Sequence, residues 1–171
     1  MSSAVETPSP LATEKGWEGE AKALRAAFDK GEFSVACSVR FDALPSVGAV
    51  TGLIDVSADA DGVIRVRVPK AKTSLNGDFV CFSRERVKKG EWHHIAFNFS
   101  RLRTRAALYL DGRLQYENDD RGIPMPAVGE PVVAKGFKGA VRDFKAWDIA
   151  LESDRLIPSP DGKGSRWDVK H

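Results

Sequence analysis

His93 and His94, adjacent in the run Gly90-Glu91-Trp92-His93-His94-Ile95-Ala96-Phe97, are the side chains best suited to acid–base or metal chemistry near neutral pH. Their adjacency argues against a shared task. Successive strand residues point to opposite faces, so His93 joins Ile95, Phe97 and Phe99 facing inward, while His94 joins Ala96 and Asn98. The two cannot chelate one metal, and His93 reads as a satisfied histidine beneath a sheet. Asp55, Asp59 and Asp61 could offer oxygens to a cation, but Asp59-Ala60-Asp61-Gly62 lacks the rest of an EF-hand loop and its terminal Glu, and suits a turn. Glycoside hydrolysis needs two carboxylates facing a cleft. Glu85 and Glu91 are expected in a turn, and Glu117, Asp119 and Asp120 in a loop. The two cysteines, Cys37 and Cys81, fall inside strand-like runs and read as buried free thiols; a disulfide between neighbouring strands stays open. No His or Cys spacing suits zinc, and neither a nucleophile elbow nor a phosphate loop is present. These patterns imply no catalytic residue, no metal and no cofactor, so the chain is expected not to be an enzyme.

Binding chemistry is left. Arg84, Arg86, Lys88 and Lys89 form one basic cluster, and Arg101, Arg103 and Arg105 another. A strand from Trp92 to Phe99 would hold them about 25 Å apart, so each reads as a solvated turn tip that discourages edge pairing. Trp92, Tyr109 and Trp147 read as packing residues. Trp17 and Trp167 are the aromatics expected to be free for a sugar ring or a partner. Trp167, with Val169 close behind it, is a compact apolar anchor in a polar tail. The expected partner contacts are therefore Trp167, Val169, Trp17, Arg101, Arg103 and Arg105.

The elements that would position these groups are short strands. Phe33, Val35, Cys37, Val39 and Phe41 share one face, and Ser34, Ala36, Ser38 and Arg40 the other. Val47 to Val56 is a second strand region in which Gly52 marks a bulge. Ile64, Val66 and Val68 alternate with Arg65 and Arg67. Asn76-Gly77 is hairpin chemistry ahead of a strand from Phe79 to Ser83. Trp92 to Phe99, Ala106 to Asp111 with its Asp-Gly turn, and Phe137 to Trp147 follow, with a loop from Glu117 to Pro131. Glu18 to Lys30 carries helical spacing at Ala21, Leu24, Ala27 and Phe28, but a strand near residues 26–29 stays open. The expected organisation is an N-terminal arm over 1–16, disordered or draped, one domain over 17–157, and a polar tail over 158–171. The fold class is all-β, a two-sheet antiparallel jelly-roll sandwich.

Phe33–Val39, Trp92-His93-His94, Tyr109-Leu110-Asp111-Gly112 and Gly136–Leu151 resemble, in that order, the laminin-G-like, pentraxin-like branch of the concanavalin A-like lectin/glucanase superfamily. The likeness covers roughly residues 26–156 and implies the jelly roll. It also implies a short turn rooted after the closing strand. In pentraxin-like relatives an acidic, Gln-containing loop before that strand supplies calcium ligands. Here Pro131-Val132-Val133-Ala134-Lys135 runs straight into Gly136-Phe137-Lys138-Gly139, so the resemblance implies that this calcium site is missing. The acidic trio of the glucanase members is not found either.

The whole chain sets the remaining bounds. At 171 residues, with 42% hydrophobic and 29% charged residues, it suits one globular domain. A net charge of +2, from 26 basic and 24 acidic residues, argues against nucleic acid as a partner. No apolar run approaches the ~18 residues needed to span a bilayer. Met1 to Gly16 has no basic or apolar leader pattern, so a cytoplasmic location is expected by default, and export if a leader was removed. The function expected from these features is a non-catalytic accessory or structural subunit that docks to other proteins of a larger complex. The alternative is a carbohydrate-binding, lectin-like module. Fold alone does not choose between them.

Overall fold

The computed structural model describes residues 12–13, 16–17, 31–50, 54–75, 77–118, 124, 137–147 and 149–151, with backbone alone at 12–13, 16–17 and 47–50. Among these residues the structure is entirely strand and turn: β1 (Ala12–Thr13), β2 (Gly16–Trp17), β3 (Glu32–Phe41), β4 (Ser46–Val50), β5 (Asp55–Ala58), β6 (Val63–Val68), β7 (Phe79–Arg86), β8 (Trp92–Ser100), β9 (Arg105–Leu110), β10 (Arg113–Asn118) and β11 (Gly139–Trp147). A seven-stranded sheet runs β10-β9-β8-β3-β11-β1-β2, and a four-stranded sheet runs β4-β5-β6-β7. Every pairing is antiparallel. The two-sheet sandwich expected from the strand pattern is the fold observed. No helix among the described residues is long and apolar enough to cross a membrane.

The alternating pattern decides which side chains meet between the sheets. Phe33, Val35, Cys37, Val39 and Phe41 of β3 pack with Ile95, Phe97 and Phe99 of β8, and with Val56, Ile64, Val66, Phe79 and Cys81 across the sandwich. Phe79 brings the small sheet against the large one, its ring 6.2 Å from Phe97, 6.1 Å from Phe99 and 5.9 Å from Tyr116. Fully burying one such side chain stabilises by about 1.5–3 kcal/mol, so this cluster is a main reason the two sheets stay together. Cys37 and Cys81 are free thiols within it, and burial pushes both up to about 12. They stay protonated at neutral pH and act as small apolar residues.

The outward face of the large sheet carries a second, smaller cluster of Ala36, Ala96, Ala107, Tyr109, Trp147 and Leu151. The chain after β11 lies over it. Ser34 Oγ donates to the Ile149 carbonyl at 2.7 Å and accepts from the Leu151 N–H at 2.7 Å, while Asn98 Nδ2 donates to the Leu151 carbonyl at 3.2 Å. The turn after the closing strand is therefore rooted by three hydrogen bonds.

Several expected boundaries are corrected. Val47 to Val56 is not one strand region but β4 and β5, with Ile54 at a bend between them; Gly52 lies outside the described residues. β7 runs to Arg86, so Glu85 sits in a strand rather than a turn, and Arg84 and Arg86 are strand residues rather than turn tips. The chain from Arg113 to Asn118 forms β10, so Glu117 is a strand residue, and all but residue 124 of the rest of the loop expected over 117–131 lies outside the described residues. Two bulges break the alternation in β10 and β11. In β11, Arg142 opposes Ser38 while Lys145 opposes Ala36, and the extra residue includes Asp143 at φ 55°. In β10, Leu114 opposes Tyr109 and Tyr116 opposes Leu108, which turns Gln115 inward. Residues 12–13 of the expected arm pair with β11, and also with residues 16–17 at the junction of the arm and the expected domain. The 18–30 segment lies outside the described residues.

Candidate functional site

The histidine pair sits where two turns meet. Asp111, at φ 51° ahead of Gly112 at φ 80°, makes the tight turn between β9 and β10. Its carboxylate reaches back to β8. Oδ1 accepts the His94 backbone N–H at 2.8 Å, and Oδ2 lies 2.7 Å from His93 Nδ1. His93 Nε2 accepts the Lys88 N–H at 3.0 Å. That bond requires a bare Nε2, so the ring proton sits on Nδ1 and is given to Asp111. The buried His93 thus links the β7–β8 turn to the β9–β10 turn with both nitrogens committed, and it has no lone pair to offer a substrate. The inward orientation expected from strand parity is observed.

His94 faces the other side of the large sheet, opposite Ser38. Burial, opposed by Asp111 and Asp143 and reinforced by Lys145, lowers its pKa to about 4. Its Nδ1 is buried with no hydrogen-bond partner. A neutral imidazole at every pH near 7 follows, which suits packing better than proton transfer.

The acidic groups are likewise tied into the frame. Asp59 Oδ1 accepts the Asp61 and Val63 N–H groups at 2.8 and 3.0 Å, the turn chemistry expected of it. Asp55 pairs with Arg67 at 2.7 Å, and Asp78 pairs with the same guanidinium at 2.8 Å. The Lys70 N–H donated to Asp78 and the Arg67 guanidinium hold the Asp78 carboxyl below its ordinary range. Glu85 is held low by Arg113, helped by Gln115. Gln115 Oε1 accepts the Arg84 and Glu85 N–H groups at 2.9 and 2.7 Å and its Nε2 donates to Glu85 at 2.7 Å, so it stitches β10 to β7 across the sandwich edge. Among the described residues no three His, Cys, Asp or Glu side chains converge as a metal site.

The expected partner contacts are scattered. Arg101 and Arg103 lie in the turn after β8, and Arg105 opens β9 and pairs with Glu117 at 2.6 Å. Arg103 and Arg105 share a shallow hollow with Asn98, Ser100, Tyr109 and Leu151 on the outward face of the large sheet. Its cavity volume is about 60 Å³, against roughly 300–1,000 Å³ for a pocket that encloses a small molecule. Trp17 lies in β2 with only its backbone described, and Trp167 and Val169 lie outside the described residues. Tyr109 and Trp147 are buried as expected. Trp92 is half-buried, with the Arg142 guanidinium 3.9 Å and that of Arg40 5.3 Å from its ring centre. Those cations cover the surface a sugar would use.

The aromatic that the sequence reading passed over is Phe82, 53% exposed on the outward face of the small sheet. Its signal was present in the alternation: Phe79, Cys81 and Ser83 face the core, so Val80, Phe82 and Arg84 face out. Arg65 stands directly opposite Phe82 on β6, and Arg67 opposite Val80. Arg67 is neutralised by Asp55 and Asp78, whereas Arg65 and Arg84 are exposed with no side-chain ion partner among the described residues. Among the described residues the result is an open platform of one ring and two uncompensated guanidinium groups on adjacent strands.

Known proteins share this architecture. The CBM40 of the Ruminococcus gnavus IT-sialidase, solved bound to α2,3-sialyllactose, superposes with a TM-score of 0.62 at 12% identity, covering 86% of this chain and 92% of that one. The binding domain of botulinum neurotoxin serotype D gives 0.59 at 9% identity, over 81% of this chain and 37% of that one. A putative carbohydrate binding protein from Bacteroides ovatus gives 0.55 at 14% identity, over 74% and 39%. The chain spans less than two thirds of the pentraxin and neurotoxin structures it matches. At such identities the likeness concerns the fold. No curated protein matches significantly. The model of the concanavalin A-like lectin/glucanases superfamily matches residues 15–156, most of the chain, and with the two-sheet fold and the rooted closing strand it shows that the chain belongs to that superfamily as a laminin-G-like domain.

Proposed function

We propose that this domain is a non-catalytic binding module that holds a saccharide on the outward face of its small sheet. The observation that carries the reading is Phe82, an aromatic ring more than half exposed on the outward face of the small sheet, which no described element covers. Apolar C–H faces of pyranose rings stack on such surfaces, and flanking polar groups set orientation. The non-catalytic part is supported by the committed nitrogens of His93 and by the carboxylates that the frame already uses. The CBM40 solved with sialyllactose and the putative carbohydrate binding protein support the glycan class only as proteins sharing a fold.

Docking to other proteins of a larger complex, the function expected first from the sequence, remains a second reading. One observation favours it: Leu102 is 74% exposed between Arg101 and Arg103 at the tip of the β8–β9 turn, an apolar and basic knob of the kind that partners bury. A glycan array with the wild-type chain and Phe82→Ala separates the two. Binding to one sugar class that Phe82→Ala abolishes supports the first reading. No glycan bound, together with a native pull-down of an assembly that Leu102→Asp releases, replaces it with the second.

A further inference from the structure

The charge around Phe82 narrows the ligand class, and this step rests on the saccharide reading above. We infer that the platform selects an acidic saccharide, a pyranose that carries a carboxylate. Three arginines project from β6 and β7 around the ring, but they are not equivalent. Arg67 makes a 2.7 Å pair with Asp55 and a 2.8 Å pair with Asp78, so its charge is spent within the protein. Arg65, directly across from Phe82, and Arg84, exposed two residues along β7 where the register with β6 shifts, have no such pair among the described residues. Directly opposed residues on a sheet face lie about 5 Å apart at Cβ, and i, i+2 neighbours about 7 Å. A ring stacked on Phe82 therefore has guanidinium groups within side-chain reach on two sides. Guanidinium presents paired donors that fit a carboxylate. Two unneutralised cations beside a neutral sugar would gain little, whereas beside a carboxylate each adds a charge-assisted contact.

An acidic peptide shares the charge but not the rest. Extended peptides dock by adding to a strand edge or by filling a groove. Phe82 lies on a sheet face, and what it offers is a flat ring between cations. The stacking element and the charge element are thus both needed for a saccharide, while a peptide would need only the second.

The test prints acidic glycans beside their methyl esters, which keep the sugar and remove the charge. It measures binding of the wild-type chain, Phe82→Ala and the double variant Arg65→Gln/Arg84→Gln, each first shown by thermal melting to fold. An exposed guanidinium–carboxylate contact is worth roughly threefold in affinity, so two give about tenfold. The expected result is that free acids bind about tenfold tighter than their esters, that the double variant equalises the two, and that 500 mM NaCl does the same. Phe82→Ala should abolish both. Equal binding of acids and esters by the wild-type chain, lost in Phe82→Ala, overturns the acidic preference and leaves the saccharide reading standing. No binding of either form overturns both. Binding of an oligoglutamate peptide that survives Phe82→Ala, with no acidic glycan bound, assigns the arginines to a peptide and also overturns the inference.

Discussion

Replacing Asp111 by alanine tests whether the clamp at the β9–β10 turn is what holds this end of the sandwich. The carboxylate serves two donors, the His93 ring at 2.7 Å and the His94 N–H at 2.8 Å. His93 is 8% exposed, so its Nδ1–H loses a charged acceptor with little water to replace it, about 1.5–2 kcal/mol. The Asp111 side chain is itself 32% exposed and water can reach the His94 N–H, so that loss is nearer 1 kcal/mol. The backbone adds a third contribution. At φ 51° alanine is strained by about 1 kcal/mol where aspartate is better tolerated. The sum is about 3.5–4 kcal/mol, or a fall in Tm of roughly 7–16 °C for a chain of this size.

Urea unfolding followed by tryptophan fluorescence reads the change, and two further variants divide it. Asp111→Gly removes both hydrogen bonds without the φ strain, so it should be about 1 kcal/mol milder than alanine. Asp111→Asn keeps the turn conformation and one acceptor oxygen and should cost about half as much as alanine. The clamp also predicts coupling. Once His93 is alanine, the loss on removing Asp111 should shrink by at least ~1 kcal/mol. A full cost below ~1 kcal/mol for Asp111→Ala, or strict additivity with His93→Ala, refutes the clamp.

Two more outcomes follow from the same geometry. His94 has its folded pKa depressed to about 4 from an ordinary 6.5. Between those values the unfolded chain takes up a proton that the folded one refuses, so stability falls as pH drops through that window. From pH 6.5 to 5 the loss should be about 1.5 kcal/mol greater for the wild type than for His94→Gln, and equal losses would show that His94 does not resist protonation. Gln115→Leu should cost about 2–4 kcal/mol, because the Arg84 and Glu85 N–H groups lose their acceptor at the sheet edge. Hydrogen exchange at those two amides should speed up more than at the rest of β7, and unchanged protection would mean that β10 and β7 are joined by something else.

How much could be read from residues alone varied with how far each feature depended on one strand's own pattern. β3 and β6 were legible because Phe33 to Phe41 and Ile64 to Val68 alternate without interruption. β11 breaks that period at Asp143, where Val141 and Phe144 both reach the core three residues apart, and only the register with β3 shows why. β10 is polar almost throughout, and its one buried side chain is a glutamine whose partners lie on β7, some thirty residues earlier. No local signal marks such a residue as interior. Parity placed His93 inward, but its dependence on Asp111 is a contact between turns, and Asp111-Gly112 looked complete as a turn by itself. Phe82 differs from all of these, since the alternation that exposes it is visible in Phe79-Val80-Cys81-Phe82-Ser83.

The separation between frame and surface has a physical basis. The blocks that identify the superfamily owe their residue types to the frame: His93 and Asp111 satisfy each other, Ser34 roots the turn after β11, and Phe33 and Phe144 fill the core. Chemistry spent in this way is not available to a ligand, so motifs that reveal the fold say little about binding. Phe82, Arg65 and Arg84 lie between those blocks, on outward positions where packing places no demand on side-chain type. A single exposed phenylalanine is ordinary on a protein surface; Phe82 points to a ligand because its ring lies on an outward sheet face, and the two unneutralised arginines beside it narrow which ligand. The contrast is measurable. Phe82→Ala should change stability by no more than ~0.5 kcal/mol while removing saccharide binding, and Asp111→Ala should do the reverse at a temperature where the variant is folded. If Phe82→Ala instead destabilised the chain by 2 kcal/mol or more, about what loss of a packed side chain costs, Phe82 would belong to the frame and the platform would lose its ring.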